Sequence, residues 1–266
     1  MIKMIRRRVC GDRLRGREKK LVRHSVARKK NPVVPMKIYA DYFRTLILGS
    51  YSPAKDKLEE ISGYEVTQLL PSSVADLSDC EIYCLGCFGR ANGVFPQGQV
   101  MTLDATQRGV VADWVNAGGK LLCCVDYRNL YDSGGFLQSR NVDSSFYTQL
   151  ATLISNAGGS LTFGAEDAVT PTTTVPWPTA AFLSDSWTTG ITGQVEYDSS
   201  AGSSITGGTQ LFAPVSKNTI VKQQCGSGWV ICYGSTGPLW GNQDVSQSSP
   251  TGYVAVGQFL EFLWNL

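Results

Sequence analysis

The segment from Asp104 to Asp126 constrains the fold most. It reads as a capped helix, a double glycine and a continuous apolar strand in one run, "DATQRGVVADWVNAGGKLLCCVD". Asp104 followed three residues later by Gln107 is the pattern of a capping box. Val110, Val111, Trp114 and Val115 make an apolar stripe at helical spacing. Gly118 and Gly119 stop the helix, since glycine takes a left-handed position without a Cβ clash. "KLLCCVD" then has no polar alternation, as expected of a strand covered on both faces.

The same device recurs along the chain. "RTLILGS" (44–50) reads as a first strand, and "SPAKDKLEEIS" as a helix with Ser52 as cap and Pro53 at its first position. "YEVTQLL" (64–70) and "CEIYCLGCFG" (80–89) read as further strands. "SSFYTQLATLISNAGG" (144–159) is a helix with Leu150, Leu153 and Ile154 inward, again closed by paired glycines, and "SLTFG" is a short strand after it. "TQLFAPVS" and "TIVKQQ" form a hairpin-like pair, "GWVICYGS" (228–235) is the last strand, and "GYVAVGQFLEFLWNL" is a closing helix with Val256, Phe259, Leu260 and Leu263 inward. Strands alternating with helices predict a three-layer α/β fold, with an open, mostly parallel sheet of the flavodoxin-like kind. Residues 169–208, rich in Thr, Ser, Pro and Gly, read as an irregular insertion with short strands such as "GQVEY" (193–197).

Charge divides the chain in two. Residues 1–32 hold 13 Lys and Arg against Asp12 and Glu18, a net of +11, whereas the rest holds 11 basic and 20 acidic residues, a net of −9. Residues 1–35 are therefore read as a basic N-terminal extension, and 36–266 as one α/β domain. The extension suits an anionic partner bound without sequence recognition. Ahead of that stand two plainer readings, a solvated flexible arm and then a start upstream of the true one at Met36. No run of 18 apolar residues occurs, so no spanning helix is expected. With no apolar segment after the basic stretch and no need for disulfides at this length, a reduced, cytoplasmic setting is expected.

The eight cysteines are Cys10, Cys80, Cys84, Cys87, Cys123, Cys124, Cys225 and Cys232. A cysteine nucleophile needs a base, and the single histidine, His24, lies in the basic arm. Cys123 and Cys124 project to opposite faces of one strand and are read as core. Cys80, Cys84 and Cys87 carry zinc-like spacing, but Cys84 falls inside a strand rather than in a turn. A Cys84–Cys87 redox pair would want Cys87 opening a helix, and "CFGRANGVFPQG" reads as a glycine-rich loop instead. The glycines of "GCFGRANG" are spaced wrongly for a dinucleotide fingerprint, and no Gly-Lys-Ser/Thr loop occurs, so no cofactor is implied.

Ligands of open α/β sheets sit beyond the carboxyl ends of the strands. That rule selects the tips Gly49–Ser52, Gly86–Asn92, Asp126–Asn129 and Gly234–Asn242. The candidate ligand contacts are Arg90, Asp126, Tyr127, Arg128, Asn129, Trp240 and Asn242. Asp126 is the candidate catalytic group, with Asp132 and Asp244 as partner carboxylates; Asp126 accepting amides of its own turn is the bland alternative.

The strings "RTLILGS", "LSDCEIYCLGCFG", "VVADWVNAGGKLLCCVDY", "GSGWVICYGSTGPLWGNQ" and "GQFLEFLWNL" resemble the class I glutamine amidotransferase-like superfamily. The nearer likeness is to its non-catalytic, uncharacterised and trehalose-utilisation-like members, over about residues 44–160 and 226–266. The resemblance implies a nucleophile elbow where this chain has Asp126 in "CVDYR". With the cysteine two residues earlier and the histidine missing, glutaminase and cysteine protease activity are not expected. Three readings follow: a silent domain of that family binding a small molecule or protein partner at the strand tips; a carbohydrate-related or metal-assisted hydrolase using Asp126; and a structural part of a larger assembly, such as a viral particle. The balance of residues leans away from an enzyme.

Overall fold

The computed structural model describes residues 37–41, 53–63, 66–69, 74, 76–85, 103–125, 128–131, 137–141, 144–164, 179–197, 204–214, 219–234 and 250–266. All belong to one compact unit, Val34–Leu266.

Its centre is a seven-stranded sheet. In chain order these strands are β1 (Lys37–Asp41), β2 (Thr67–Leu69), β3 (Cys80–Leu85), β4 (Lys120–Cys124), β11 (Thr209–Phe212), β12 (Ile220–Cys225) and β13 (Gly228–Tyr233). Their spatial order is β11-β12-β13-β4-β3-β1-β2. The five strands from β13 to β2 run parallel, and β12 and β11 add to β13 as antiparallel neighbours. The expected mostly parallel α/β sheet is therefore present, and so is the hairpin-like pair of "TQLF" and "TIVKQQ". The strand expected over 44–50 lies outside the described residues. The first described strand lies upstream of it, at "KIYAD", where Ile38 is fully buried.

Among the described residues four helices cover the sheet: α1 (Pro53–Ser62), α2 (Ala105–Asn116), α3 (Ser144–Asn156) and α4 (Pro250–Asn265). One core face packs Val111, Val115, Leu150, Leu153 and Ile154 of α2 and α3 on the sheet. The other packs Leu58 of α1 with Phe259, Leu260 and Leu263 of α4. Strand alternation divides β4 between them: Leu121 and Cys123 face α2 and α3, whereas Leu122 and Cys124 face the other layer. Glu81 sits in a register shift between β1 and β3, which turns Cys80 to the opposite face from Ile82 and Cys84.

The local signals are realised in full in α2. The Asp104 carboxylate accepts the Gln107 N–H at 2.8 Å, and the Gln107 side-chain oxygen accepts the Asp104 N–H at 2.9 Å. After the helix Gly118 adopts φ 128°, and a Cβ on Gly119 would stand 2.3 Å from the Trp114 ring. Only glycine allows the chain to pass that indole and enter β4.

Three small antiparallel pairs accompany the sheet among the described residues. They are β5 (Arg128–Tyr131) with β6 (Leu137–Asn141), β7 (Thr162–Phe163) with β10 (Ile205–Thr206), and β8 (Thr179–Ala180) with β9 (Val195–Glu196). The first pair was not expected: Arg128 and Asn129, read as a tip loop, lie in a strand opposite Asn141 and Arg140. The turn-forming "DSGG" between the two runs is the overlooked signal. The described residues of the segment 169–208 are not peripheral. Trp187, Val195 and Ile205 are all buried in the core, and Leu183 N–H donates to the carbonyl of Leu211 on the edge strand at 2.8 Å.

Candidate functional site

The carboxyl edge of the sheet is held by backbone hydrogen bonds. Val125 follows β4 and donates its N–H to Tyr233 O at 2.8 Å, and Gly234 N–H donates to Thr219 O at 2.8 Å. The Tyr147 hydroxyl, from α3, donates to Val125 O at 3.1 Å. Thr219 is 2% exposed, and its hydroxyl is buried without a hydrogen-bond partner among the described residues. An unsatisfied buried hydroxyl costs about 1–3 kcal/mol, so a group arriving at this edge would gain from meeting it.

Most sequence-derived candidates fall beyond what is described at that edge. Arg90, Asp126, Tyr127, Asp132, Trp240, Asn242 and Asp244 lie outside the described residues, as does His24. Arg128 and Asn129 are placed only through the backbone of β5. Among the described residues no three His, Cys, Asp or Glu side chains come together as a metal-binding group. Cys80, Cys84, Cys123, Cys124, Cys225 and Cys232 are all buried. Burial pushes the Cys80 thiol up to about 12, and the Cys225 thiol up to about 11. Burial likewise raises Cys84 and Cys232. None of these four is held as the thiolate a nucleophile requires.

A groove lies between α3 and the strand that follows it. It encloses about 920 Å³ and is open along one side. The inward side of α3 is committed to the core through Leu150, Leu153 and Ile154, which leaves Thr148, Thr152, Ser155 and Asn156 facing outward. Gly158 ends the helix at φ 87°, and the chain doubles back through Ser160 into Thr162 and Phe163. Ser160 is fixed there by β12: its N–H donates to the Gln223 side chain at 2.8 Å, and Gln223 donates back to the Ser160 hydroxyl at 3.0 Å. Tyr147 and Phe163 meet at the inner end, with ring centroids 6.0 Å apart. No charged side chain lines the groove among the described residues. Its chemistry is that of neutral donors and acceptors beside aromatic carbon.

A charged cluster stands apart from the groove. Lys222 of β12 pairs with Asp185, and its ammonium lies 4.5 Å from the Trp187 ring centroid and 5.9 Å from that of Trp229. Burial raises the Asp185 carboxyl. Hydrogen bonds from Lys222, the Trp187 N–H and Ser186 outweigh it and hold the group below its usual value. A second pair joins Lys120 of β4 to Glu81 of β3 at 2.5 Å, and Lys120 also reaches Trp264 O at 3.4 Å. Both pairs join elements distant in sequence and serve packing.

No family model matches the chain, and none of the curated proteins does. Among solved structures it is similar to the mmIFT52 N-terminal domain, at 11% identity and a TM-score of 0.51, over 86% of this chain and 97% of that one. It is also similar to the exo-β-1,4-mannosidase Op5Man5 from Opitutaceae bacterium strain TAV5, at 11% identity and TM-score 0.44, over 86% of this chain and 35% of that one. The β-galactosidase from Bacillus circulans sp. alkalophilus matches at 12% identity and TM-score 0.42, over 86% of this chain and 30% of that one. The chain thus spans about a third of the length of these hydrolases.

These findings correct the family expectation. No family model matches, and the structure it is similar to at a TM-score above 0.5 is described as an IFT52 domain, not as an amidotransferase, so the assignment to the glutamine amidotransferase-like superfamily falls, and with it the description as a silent relative of those enzymes. Two of the strings behind it contain the buried strands Cys80–Leu85 and Gly228–Tyr233, and a third contains the end of α2 and the paired glycines after it. Continuous apolar strands of this kind are general to parallel sheets covered on both faces. No helix among the described residues is long and apolar enough to cross a membrane.

Proposed function

We propose that this chain is a carbohydrate-related binding domain that holds a neutral saccharide in the groove between α3 and β7. The observation that carries the reading is the lining: hydroxyl and amide groups from Thr148, Thr152, Ser155, Asn156, Ser160 and Thr162, aromatic carbon at one end, and no charge among the described residues. A sugar presents hydroxyls to the first and C–H faces to the second, whereas an anionic or cationic ligand would meet no opposite charge. The volume lies within the range of small-molecule sites, about 300–1,000 Å³.

Titration calorimetry of the full chain with manno- and galacto-oligosaccharides tests this, those being the sugars in the names of the hydrolases above. Saturable binding is expected, weakened about tenfold or more by Asn156→Ala and by Phe163→Ala. Absence of binding across both series, or binding that neither variant changes, overturns the reading.

A second reading, hydrolysis at the carboxyl edge, draws on the unpartnered Thr219 hydroxyl and on the place of Asp126 directly after Val125. It predicts turnover of an aryl β-mannoside or β-galactoside that Asp126→Asn abolishes. Binding without turnover leaves the groove reading in place.

A further inference from the structure

Two directly paired positions on neighbouring strands of the sheet both carry cysteine. In the parallel register of β4 and β13, Cys123 lies opposite Cys232. Both side chains enter the same core face, at 1% and 0% exposure. Neighbouring strands stand about 4.8 Å apart, inside the Cα separation of about 4.4–6.8 Å that a disulfide spans. The Cys123 side chain is close enough to Cys232 to raise its thiol further above the usual range. The remaining thiols nearby are placed differently. Cys124 points to the opposite face, and Cys225 lies opposite Gly228, at the other end of β13.

We propose that Cys123 and Cys232 form a dithiol modification site, which a two-electron peroxide oxidant closes into a disulfide tying β4 to β13. The chemistry balances without a further reactant. One sulfur, as thiolate, attacks the peroxide: an S–O bond forms, the O–O bond breaks, and the departing hydroxide takes up the proton that thiol gave up. The second sulfur attacks the resulting sulfenic acid, so that the S–S bond forms and the S–O bond breaks. The oxygen leaves as water with the second thiol's proton. Two thiols and one hydrogen peroxide give one disulfide and two waters.

Burial sets when this happens. The sheet and helices α2 and α3 shield both sulfurs, and burial together with the Cys123 contact keeps Cys232 protonated. A buried thiol is inert, so the reaction waits on local opening of the β4–β13 seam and accelerates under mild denaturation. Once the seam recloses, the register leaves each sulfur one neighbour across the strand pair, which makes the product a single bridge.

The experiment uses the full chain, treated with hydrogen peroxide in native buffer and at a urea concentration below the unfolding transition, then alkylated, digested and mapped by mass spectrometry. One bridge is expected, faster in urea and reversed by dithiothreitol. It should persist in Cys124→Ala and Cys225→Ala, and be lost in Cys123→Ala and in Cys232→Ala. The two removal variants are read separately, so misfolding of one leaves the other decisive. The bridged wild-type chain should also unfold at higher urea than the reduced chain. A mixture of bridges, oxidation only to sulfinic acid, a bridge surviving removal of either cysteine, or an unchanged unfolding midpoint would each overturn the assignment.

Discussion

The Tyr147 hydroxyl donates to the carbonyl of Val125 at 3.1 Å, which joins α3 at the inner end of the groove to the carboxyl end of β4. Val125 is held from the other side by its own N–H bond to Tyr233 O. The residue that leads from the sheet towards Asp126 is therefore pinned twice, once by a neighbouring strand and once by a side chain that also lines the groove.

Tyr147→Phe keeps the ring packing against Phe163 and removes only the hydroxyl. A hydrogen bond of this kind contributes about 0.5–1.5 kcal/mol net. The variant should fold, with its unfolding free energy in urea lowered by that amount and an unchanged slope. Val125 is buried, so loss of protection at its amide in hydrogen exchange should accompany the shift. An unchanged midpoint and unchanged exchange would show that the bond contributes nothing.

Lys222 and Asp185 make the strongest electrostatic prediction. Removing the lysine as Lys222→Met leaves a largely buried carboxylate without its cation, which costs about 3–5 kcal/mol for fully buried pairs. Asp185 retains 16% side-chain exposure, so the expected loss falls between the roughly 0–1 kcal/mol of a surface pair and that range. Its folded-state pKa lies below the unfolded value, so its contribution is present above the unfolded carboxylate value, near pH 4, and disappears as the pH falls through the folded value. Asp185→Asn should flatten the acid limb of the stability profile relative to wild type. An acid limb of wild-type steepness in that variant would refute the assignment.

How much of this was legible depends on how far each signal reaches. The Asp104–Gln107 box, the paired glycines after α2 and α3, and the apolar run of β4 are local, and each appears where the residues place it. The groove was not legible, because Thr148, Thr152 and Ser155 look like any solvated helix face until the turn at Gly158 returns Phe163 alongside them. The Lys222–Asp185 pair was hidden for another reason. Asp185 lies in a Ser/Thr-rich stretch that carries no periodicity, and only the tertiary fold brings it to β12. Arg128 and Asn129 were assigned to a tip by the carboxyl-end rule, which does not anticipate that the chain turns into a hairpin there.

The α2 cap allows a clean test of a local signal. Asp104→Ala removes the acceptor for the Gln107 N–H and also frees the Gln107 side chain from its return bond. Loss of an N-cap carboxylate costs about 0.5–2 kcal/mol. Asp104→Ser, which keeps an acceptor, should recover most of that loss in thermal unfolding. Equal destabilisation by both variants would mean that the cap does not hold the helix.

Gly119 is the position where the backbone leaves least room. A Cβ there would stand 2.3 Å from two carbons of the Trp114 ring and 2.6 Å from a third, so Gly119→Ala must displace the indole or the entry to β4. Trp114 packs edge-on against Tyr83, with centroids 6.4 Å apart, and cannot move without disturbing that contact. Overpacking of this kind costs about 1–3 kcal/mol. The double variant Gly119→Ala with Trp114→Leu separates the two causes. If the clash is with the indole, the added cost of Gly119→Ala should shrink in the leucine background. If the same penalty persists there, the strain lies in the backbone and not in the packing of Trp114.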